Sequence, residues 1–221
     1  MMNIRNRFKT APWMGLKPTI YVLGAGGIGS NLLYNLTKTV EGTYIIQDFD
    51  KVEYHNVGTQ FFDDKDMGLD KVQALGNKFG YLQNVVIHQM TTKFKEGDSI
   101  MPITITGLDN MEARKNAFES WRKLENRELF IDGRMRANLY EVYSVLKGNE
   151  EEYEKTLFDS SEIAHEDFCT FKSTAYVGMM IGARITQIVV NHLSNKVANE
   201  EICVVPFKVQ EFTEIFLIET T

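Results

Sequence analysis

Between Pro18 and Asp50 the apolar positions change period twice. Thr19-Ile20-Tyr21-Val22-Leu23 is a short, nearly continuous apolar run, the pattern of a strand covered on both faces. Ile28, Leu32, Leu33, Leu36 and Val40 then recur at helical spacing, and Tyr44-Ile45-Ile46-Gln47 is a second short run. The pattern predicts strand, helix, strand, with Gly24-Ala25-Gly26-Gly27-Ile28-Gly29 filling the first connection.

The same reading continues down the chain. Val72, Leu75 and Phe79 mark an amphipathic helix starting near Asp70, followed by the strands Val85-Val86-Ile87 and Ile103-Thr104-Ile105-Thr106. A helix is predicted from Asn110 to about Glu125, then a strand Leu129-Phe130-Ile131 ending at Asp132-Gly133-Arg134, which reads either as a strand end facing a bound carboxylate-bearing tail or as a tight turn. Leu139 to Leu146 alternates as a strand. Asn149 to Glu154 and Ser160 to Asp167 are acidic and read as solvated loops. A long helix from about Ser173 to Lys196 is apolar on most of its circumference, which predicts burial, with a second copy of itself as one partner. Ile202 to Phe207 and Glu214 to Glu219 read as an antiparallel strand pair.

Alternating strands and helices imply an α/β fold: a Rossmann-like, mainly parallel sheet with helices on both faces and antiparallel strands at the C-terminal end. One domain over 1–221 is expected, with an arm at 1–17, a nucleotide-binding core at 18–135, and a strand, long helix and strand pair at 136–221. In the arm, Arg5 and Arg7 read as solvated charges.

Composition narrows the function. The chain has 221 residues, 43% hydrophobic, and a net charge of -6. Its lysines and arginines are dispersed, which argues against nucleic acid as a partner. No apolar run reaches the length of a membrane span, and the N-terminus lacks the apolar core of a signal peptide, so a cytoplasmic protein is expected. Cys169 and Cys203 form no C-x-x-C pair, and the four histidines show no ligand spacing, so no structural zinc is expected.

The candidate chemistry lies at strand ends. The glycine turn follows the first strand, Asp48 and Asp50 the second, and Asp109 the fourth, all around the crevice where such sheets bind ligands. Lys71 joins them from the first turn of a helix, whose dipole favours an anion. Asp48 and Asp50 stand where a nucleotide-binding unit places its ribose acid. A lysine and a lone aspartate converging on phosphates suit ATP with Mg²⁺, the lysine offsetting phosphate charge and Asp109 holding the metal. The glycine turn alone would also permit a nicotinamide cofactor.

Taken together, Gly24 to Asn31, Asp48-Phe49-Asp50-Lys51-Val52-Glu53, Asn56, Gln60, Asp66-Met67-Gly68 with Lys71, and Asp109-Asn110 with Arg114 resemble the ubiquitin-activating-enzyme-like superfamily, the ThiF/MoeB/HesA adenylyltransferases. The resemblance covers roughly residues 18 to 135. It implies adenylation of the C-terminal carboxylate, usually Gly-Gly, of a small ubiquitin-like or sulfur-carrier protein, by a homodimer. Carried over by position, Gly24, Gly26, Gly27, Gly29 and Ser30 approach the nucleotide, Asp48 holds the ribose hydroxyls with Asp50 beside it, Asn56, Gln60 and Lys71 line the triphosphate, and Asp109 takes the metal. Cys169, just before the long helix, resembles the cysteine that bonds covalently to the carrier or its sulfur; a small buried residue is the other reading. Cys203 reads as core.

One position departs from the family. The residue before Gln60 is normally an arginine that clamps phosphates, and here it is Thr59. A hydroxyl does not replace a planar cation. Either Arg5 or Arg7 from the arm of a dimer mate supplies the charge, or the chain is a module that binds nucleotide and carrier with impaired turnover.

Overall fold

The computed structural model of the protein describes residues 4–136, 139–157 and 175–212. Cys169 and the segments Ser160 to Asp167 and Glu214 to Glu219 lie outside the described residues.

Among the described residues seven strands form one sheet in the order β3-β2-β1-β4-β5-β6-β7. β1 (Thr19–Leu23) pairs in parallel with β2 (Gly42–Gln47) on one side and β4 (Ile103–Thr106) on the other. β3 (Val85–Met90) and β5 (Leu129–Arg136) extend the parallel part, and β6 (Leu139–Val145) and β7 (Lys208–Phe212) close it antiparallel. The chain therefore leaves β1 in opposite directions for its two neighbours, which opens a crevice beyond the carboxyl ends of β1, β2 and β4.

Alternate residues of β1 feed two cores. Ile20 and Val22 pack with α1 (Gly27–Thr39), α3 (Lys71–Phe79) and α6 (Ala175–Ala198). Tyr21 and Leu23 face Phe118 and Trp121 of α4 (Met111–Arg122) and Tyr153 of α5 (Glu150–Glu154). A strand buried on both faces must be apolar throughout, which is why its sequence is a run and not an alternation.

Three local expectations differ from the structure. The acidic segment at 149–154 is the short helix α5, because Tyr153 is fully buried and anchors it. Asp132-Gly133-Arg134 is no turn: β5 runs on to Arg136, with Asp132 paired to Thr106 and Tyr143 on its two flanks. Ile202 to Phe207 is not a strand; Lys208–Phe212 is the segment that pairs with β6. The buried face of α6 meets α1 of its own chain. A Cβ on Gly178 would lie 2.7 Å from the Gly27 carbonyl oxygen, and one on Gly182 would lie 2.9 Å from the Leu32 nitrogen, so these glycines set how closely the helices approach.

The arm is also folded onto the body. Arg5 is fully buried; its guanidinium donates to the carbonyls of Thr37 and Gln83 (2.9 Å to the latter) and pairs with Glu41 at 3.5 Å. Trp13 Nε1 donates to the Thr39 carbonyl at 3.2 Å. Both satisfy carbonyls at the C-terminal end of α1, which have no partner within the helix. Arg5 is thus a structural cation at the end of α1 remote from the glycine turn, and it does not serve a neighbouring site. Arg7 lies exposed in the adjoining 3₁₀ turn.

Candidate active site

The glycine turn is shaped by three strand ends. Gly24 has φ +92°, the left-handed region that favours glycine, and its nitrogen donates to the Gln47 carbonyl at 2.9 Å. A Cβ there would lie 2.8 Å from the Gly107 carbonyl oxygen, and a Cβ on Gly29 would overlap the Gly24 carbonyl. Gly26, by contrast, faces open space: a Cβ would meet nothing within 4 Å. Gly26 is also the N-cap of α1 and offers no side-chain cap, so the first turn of the helix presents backbone N–H groups to that space.

A continuous chain of hydrogen bonds links this turn to α3. Ala25 N–H donates to Asp48 Oδ2 at 2.7 Å, and Asp50 N–H donates to Asp48 Oδ1 at 2.8 Å. Asp50 Oδ2 accepts from Lys71 Nζ at 2.9 Å. The Lys71 side chain is nearly buried and Asp50 about half exposed. Their proximity is built by the antiparallel bridge between Lys51 and Asp70, reinforced by a 2.8 Å ion pair, which places the N-terminus of α3 beside the end of β2. Burial raises the pKa of Asp48; the N–H groups of Ala25 and Asp50 and the Lys71 charge oppose that rise.

Asp109 reaches the same rim from the other side. Gly107 N–H donates to the Leu23 carbonyl at 2.8 Å, so the chain leaving β4 runs against the glycine turn. Asn110 is the N-cap of α4, its Oδ1 accepting from Ala113 N–H at 2.8 Å, which leaves Asp109 exposed, with Asn110 Nδ2 3.5 Å away.

A family model described as the ThiF family matches residues 16–216. The chain belongs to the ThiF family. It is 34% identical over 143 residues to the NEDD8-activating enzyme E1 catalytic subunit of Saccharomyces cerevisiae, covering 58% of this chain and 48% of that protein. Against ubiquitin-like modifier-activating enzyme 5 of Culex quinquefasciatus it is 29% identical over 114 residues, 43% of this chain and 29% of the relative. The chain thus spans half or less of the length of these relatives. Among solved structures, PaaA matches with a TM-score of 0.66 and 16% identity over 96% of this chain and 69% of its own. E. coli MccB crystallised with ATP matches at 0.61 and 15% identity, over 95% and 66%. These two similarities establish a shared fold.

Within the ThiF-family frame, the loop between β2 and α3 holds the remaining expected residues. Asn56 is buried in α2 (Tyr54–Val57) and closes a capping box, its Oδ1 accepting from Glu53 N–H at 2.9 Å. Its carbonyl accepts from Gln60 N–H at 2.8 Å. Ser30 is fully buried and its Oγ accepts from Phe61 N–H at 3.0 Å, so this hydroxyl pins the Gln60 loop to α1. Gln60 Oε1 is buried without a hydrogen-bond partner. A side-chain amide turned by 180° presents its NH₂ instead, which an anionic neighbour would select. The Thr59 hydroxyl contacts the His55 carbonyl at 3.4 Å, and its N–H donates to the Asn56 carbonyl at 3.1 Å, so the position carries an uncharged side chain held by its own loop. A groove of about 600 Å³ beside Tyr34, Phe61 and Phe79 contains none of these candidate residues.

The sequence marks Arg114 and Asp132-Gly133-Arg134 separately, and their union with Tyr153 into one group is visible only in the structure. Arg114, Asp132, Arg134 and Tyr153 form a buried polar cluster under the turn that carries Asp109. The available signal was an aspartate, Asp132, directly following the apolar run Leu129-Phe130-Ile131.

Proposed function

We propose that this chain binds ATP in the crevice and adenylates the C-terminal carboxylate of a small ubiquitin-like or sulfur-carrier protein. The observation that carries the reading is the hydrogen-bonded chain Ala25–Asp48–Asp50–Lys71, with Asp109 on the same rim, in a member of the ThiF family. The relatives named as modifier-activating enzymes support it over a nicotinamide-dependent oxidoreductase.

The groups present suit the ligand. The open space at Gly26 and the uncapped first turn of α1 fit a phosphate. Asp48 is an acceptor for the ribose hydroxyls, and Lys71 supplies positive charge beside it. Among the described residues no group of three or more His, Cys, Asp or Glu side chains is placed to hold a metal. A lone exposed carboxylate, Asp109, fits Mg²⁺, which is commonly bound by one or two carboxylates together with substrate phosphates. Bound there, Mg²⁺ would neutralise charge developing on the phosphates. A carboxylate oxygen of the carrier attacks the α-phosphorus, the bond to the bridging oxygen of the β-phosphate breaks, and pyrophosphate leaves. No proton changes hands and no enzyme nucleophile is needed. The chain's own task is to position and to stabilise charge.

The same proposal includes a single domain over 1–221, a cytoplasmic homodimer, and transfer of the activated carrier to Cys169. Exposed Tyr176, Met179 and Met180 on α6 offer an apolar face for a second copy. Pyrophosphate exchange with synthetic tails ending in Gly-Gly tests the core of it: exchange is expected, reduced in Lys71→Ala, and mass spectrometry should find a carrier adduct lost in Cys169→Ser. ATP binding without exchange would instead establish the impaired module, which the uncharged contact at Thr59 favours.

ATP binding should also depend on pH through Asp48. Its folded-state pKa is raised, so it takes up a proton at a higher pH than an ordinary aspartate. The protonated acid loses one acceptor, and affinity should fall by about tenfold per pH unit below that pKa. Nucleotide titrations from pH 7.5 downwards check this. An Asp48→Asn variant should bind weakly at all pH values, and an unchanged pH slope in it would remove Asp48 from the ribose site.

A further inference from the structure

The turn from Gly107 to Asn110 is gripped from below at three points. Thr106, the last residue of β4, donates its Oγ1 to Asp132 Oδ1 at 3.0 Å. Arg114, in the first turn of α4, donates through NH1 to the same Oδ1 and to the Gly133 carbonyl, the latter at 3.1 Å. Its NH2 donates to the carbonyl of Leu108, in the middle of the turn. One buried carboxylate therefore holds both ends of the turn, and the arginine it orients holds the centre.

Asp132 is itself fixed on its other oxygen. Oδ2 accepts from Arg134 Nε at 2.6 Å and from the Tyr153 hydroxyl at 3.0 Å. Burial and the charge of Asp132 push the Tyr153 phenol well above its ordinary pKa, so it stays a donor. Arg134 is held in turn by Thr156, through its carbonyl at 3.1 Å and Oγ1 at 3.0 Å, and lies 4.5 Å from the ring centre of Tyr143. Asp132 is fully buried and both arginines nearly so.

A buried ion-pair network is weak evidence of a role in stability. Well-packed apolar residues in place of a buried ion-pair network are often as stable or more so, whereas the network admits one arrangement. What that arrangement fixes is the backbone on either side of Asp109, whose exposed side chain has, among the described residues, only the 3.5 Å contact to Asn110. The direction of its carboxylate is therefore set by the turn.

We infer that Arg114, locked by Asp132, is a positioning residue that aims Asp109 at the metal-bearing phosphates of the nucleotide. The inference rests on the adenylation reading above. Arg114→Lys keeps the charge next to Asp132 and loses the fork that reaches Leu108 and Gly133 together.

The experiment compares wild type, Arg114→Lys, Asp109→Ala and the double variant. Arg114→Lys should slow pyrophosphate exchange by about 10- to 100-fold, the scale of a misplacement near 1 Å. It should weaken Mn²⁺ binding in the presence of a non-hydrolysable ATP analogue, read by electron paramagnetic resonance, while metal-free analogue affinity stays unchanged. The double variant should be no slower than Asp109→Ala. Losses that multiply in the double variant, or an Mn²⁺ affinity equal to wild type, would overturn the inference. If Asp109→Ala alone leaves exchange intact, the site reading has failed instead. Should Arg114→Lys not fold, Asp132→Asn replaces it under the same criteria.

Discussion

Asp109→Ala is expected to cut pyrophosphate exchange by about 100- to 1,000-fold, the scale seen when one preorganised electrostatic group is removed from a transition state. Its structural cost should be small. Asn110, not Asp109, caps α4, and Asp109 is exposed, so the helix keeps its cap and no buried group loses a partner. Metal-free ATP should bind as before, because the glycine turn, Asp48 and Lys71 do not depend on this side chain. An Asp109→Asn variant should be nearly as slow, since a neutral amide holds a divalent cation poorly. Exchange kinetics against Mg²⁺ concentration provide the check. Near-wild-type turnover in both variants would remove Asp109 from the reaction.

The second large effect is expected at the glycine turn, where two neighbouring glycines should behave in opposite ways. A Cβ on Gly29 would overlap the Gly24 carbonyl, a backbone atom that cannot move without opening the turn. Gly29→Ala should cost about 1–3 kcal/mol, the usual range for overpacking, which for a chain this long lowers Tm by roughly 2–12 °C. It should also abolish ATP binding. Gly26→Ala meets no protein atom within 4 Å and should melt like wild type. Its added methyl projects into the space proposed for phosphate, so ATP affinity should fall by about tenfold or more, the loss of roughly one charge-assisted hydrogen bond. Thermal melting and nucleotide titration of the two variants separate the roles. Undiminished ATP affinity in Gly26→Ala would place the phosphates elsewhere.

The two glycines also show where sequence reasoning stops. That a phosphate turn lies between β1 and α1 is visible in the sequence, because an apolar run, a glycine cluster and a helical repeat are local patterns. Which glycine is needed for the protein's own packing and which leaves room for a ligand depends on how the turn closes in three dimensions: Gly29 is pressed against the Gly24 carbonyl, while Gly26 faces open space. Ser30 is a similar case. The motif places it with the nucleotide, whereas its hydroxyl is buried and holds Phe61. Arg5 is another: a basic N-terminal stretch reads as a solvated arm, yet the unpaired carbonyls at the end of α1 draw its guanidinium inside.

By itself the sequence determined the order of the strands through β6 with α1, α3 and α4 between them, the glycine turn, and the placing of Asp48, Asp50 and Asp109 at strand ends, but not the short helix α2. All of these follow from hydrophobic period and from the breaks between periods, which are properties of neighbouring residues. Only the tertiary structure decided that Lys71 pairs with Asp50, that α6 packs on α1 through Gly178 and Gly182, and that Asp132 grips the turn beneath Asp109. Each of those contacts joins residues distant in the chain, and their partners are selected by burial and hydrogen-bond satisfaction in the folded protein, for which a local pattern carries no signal.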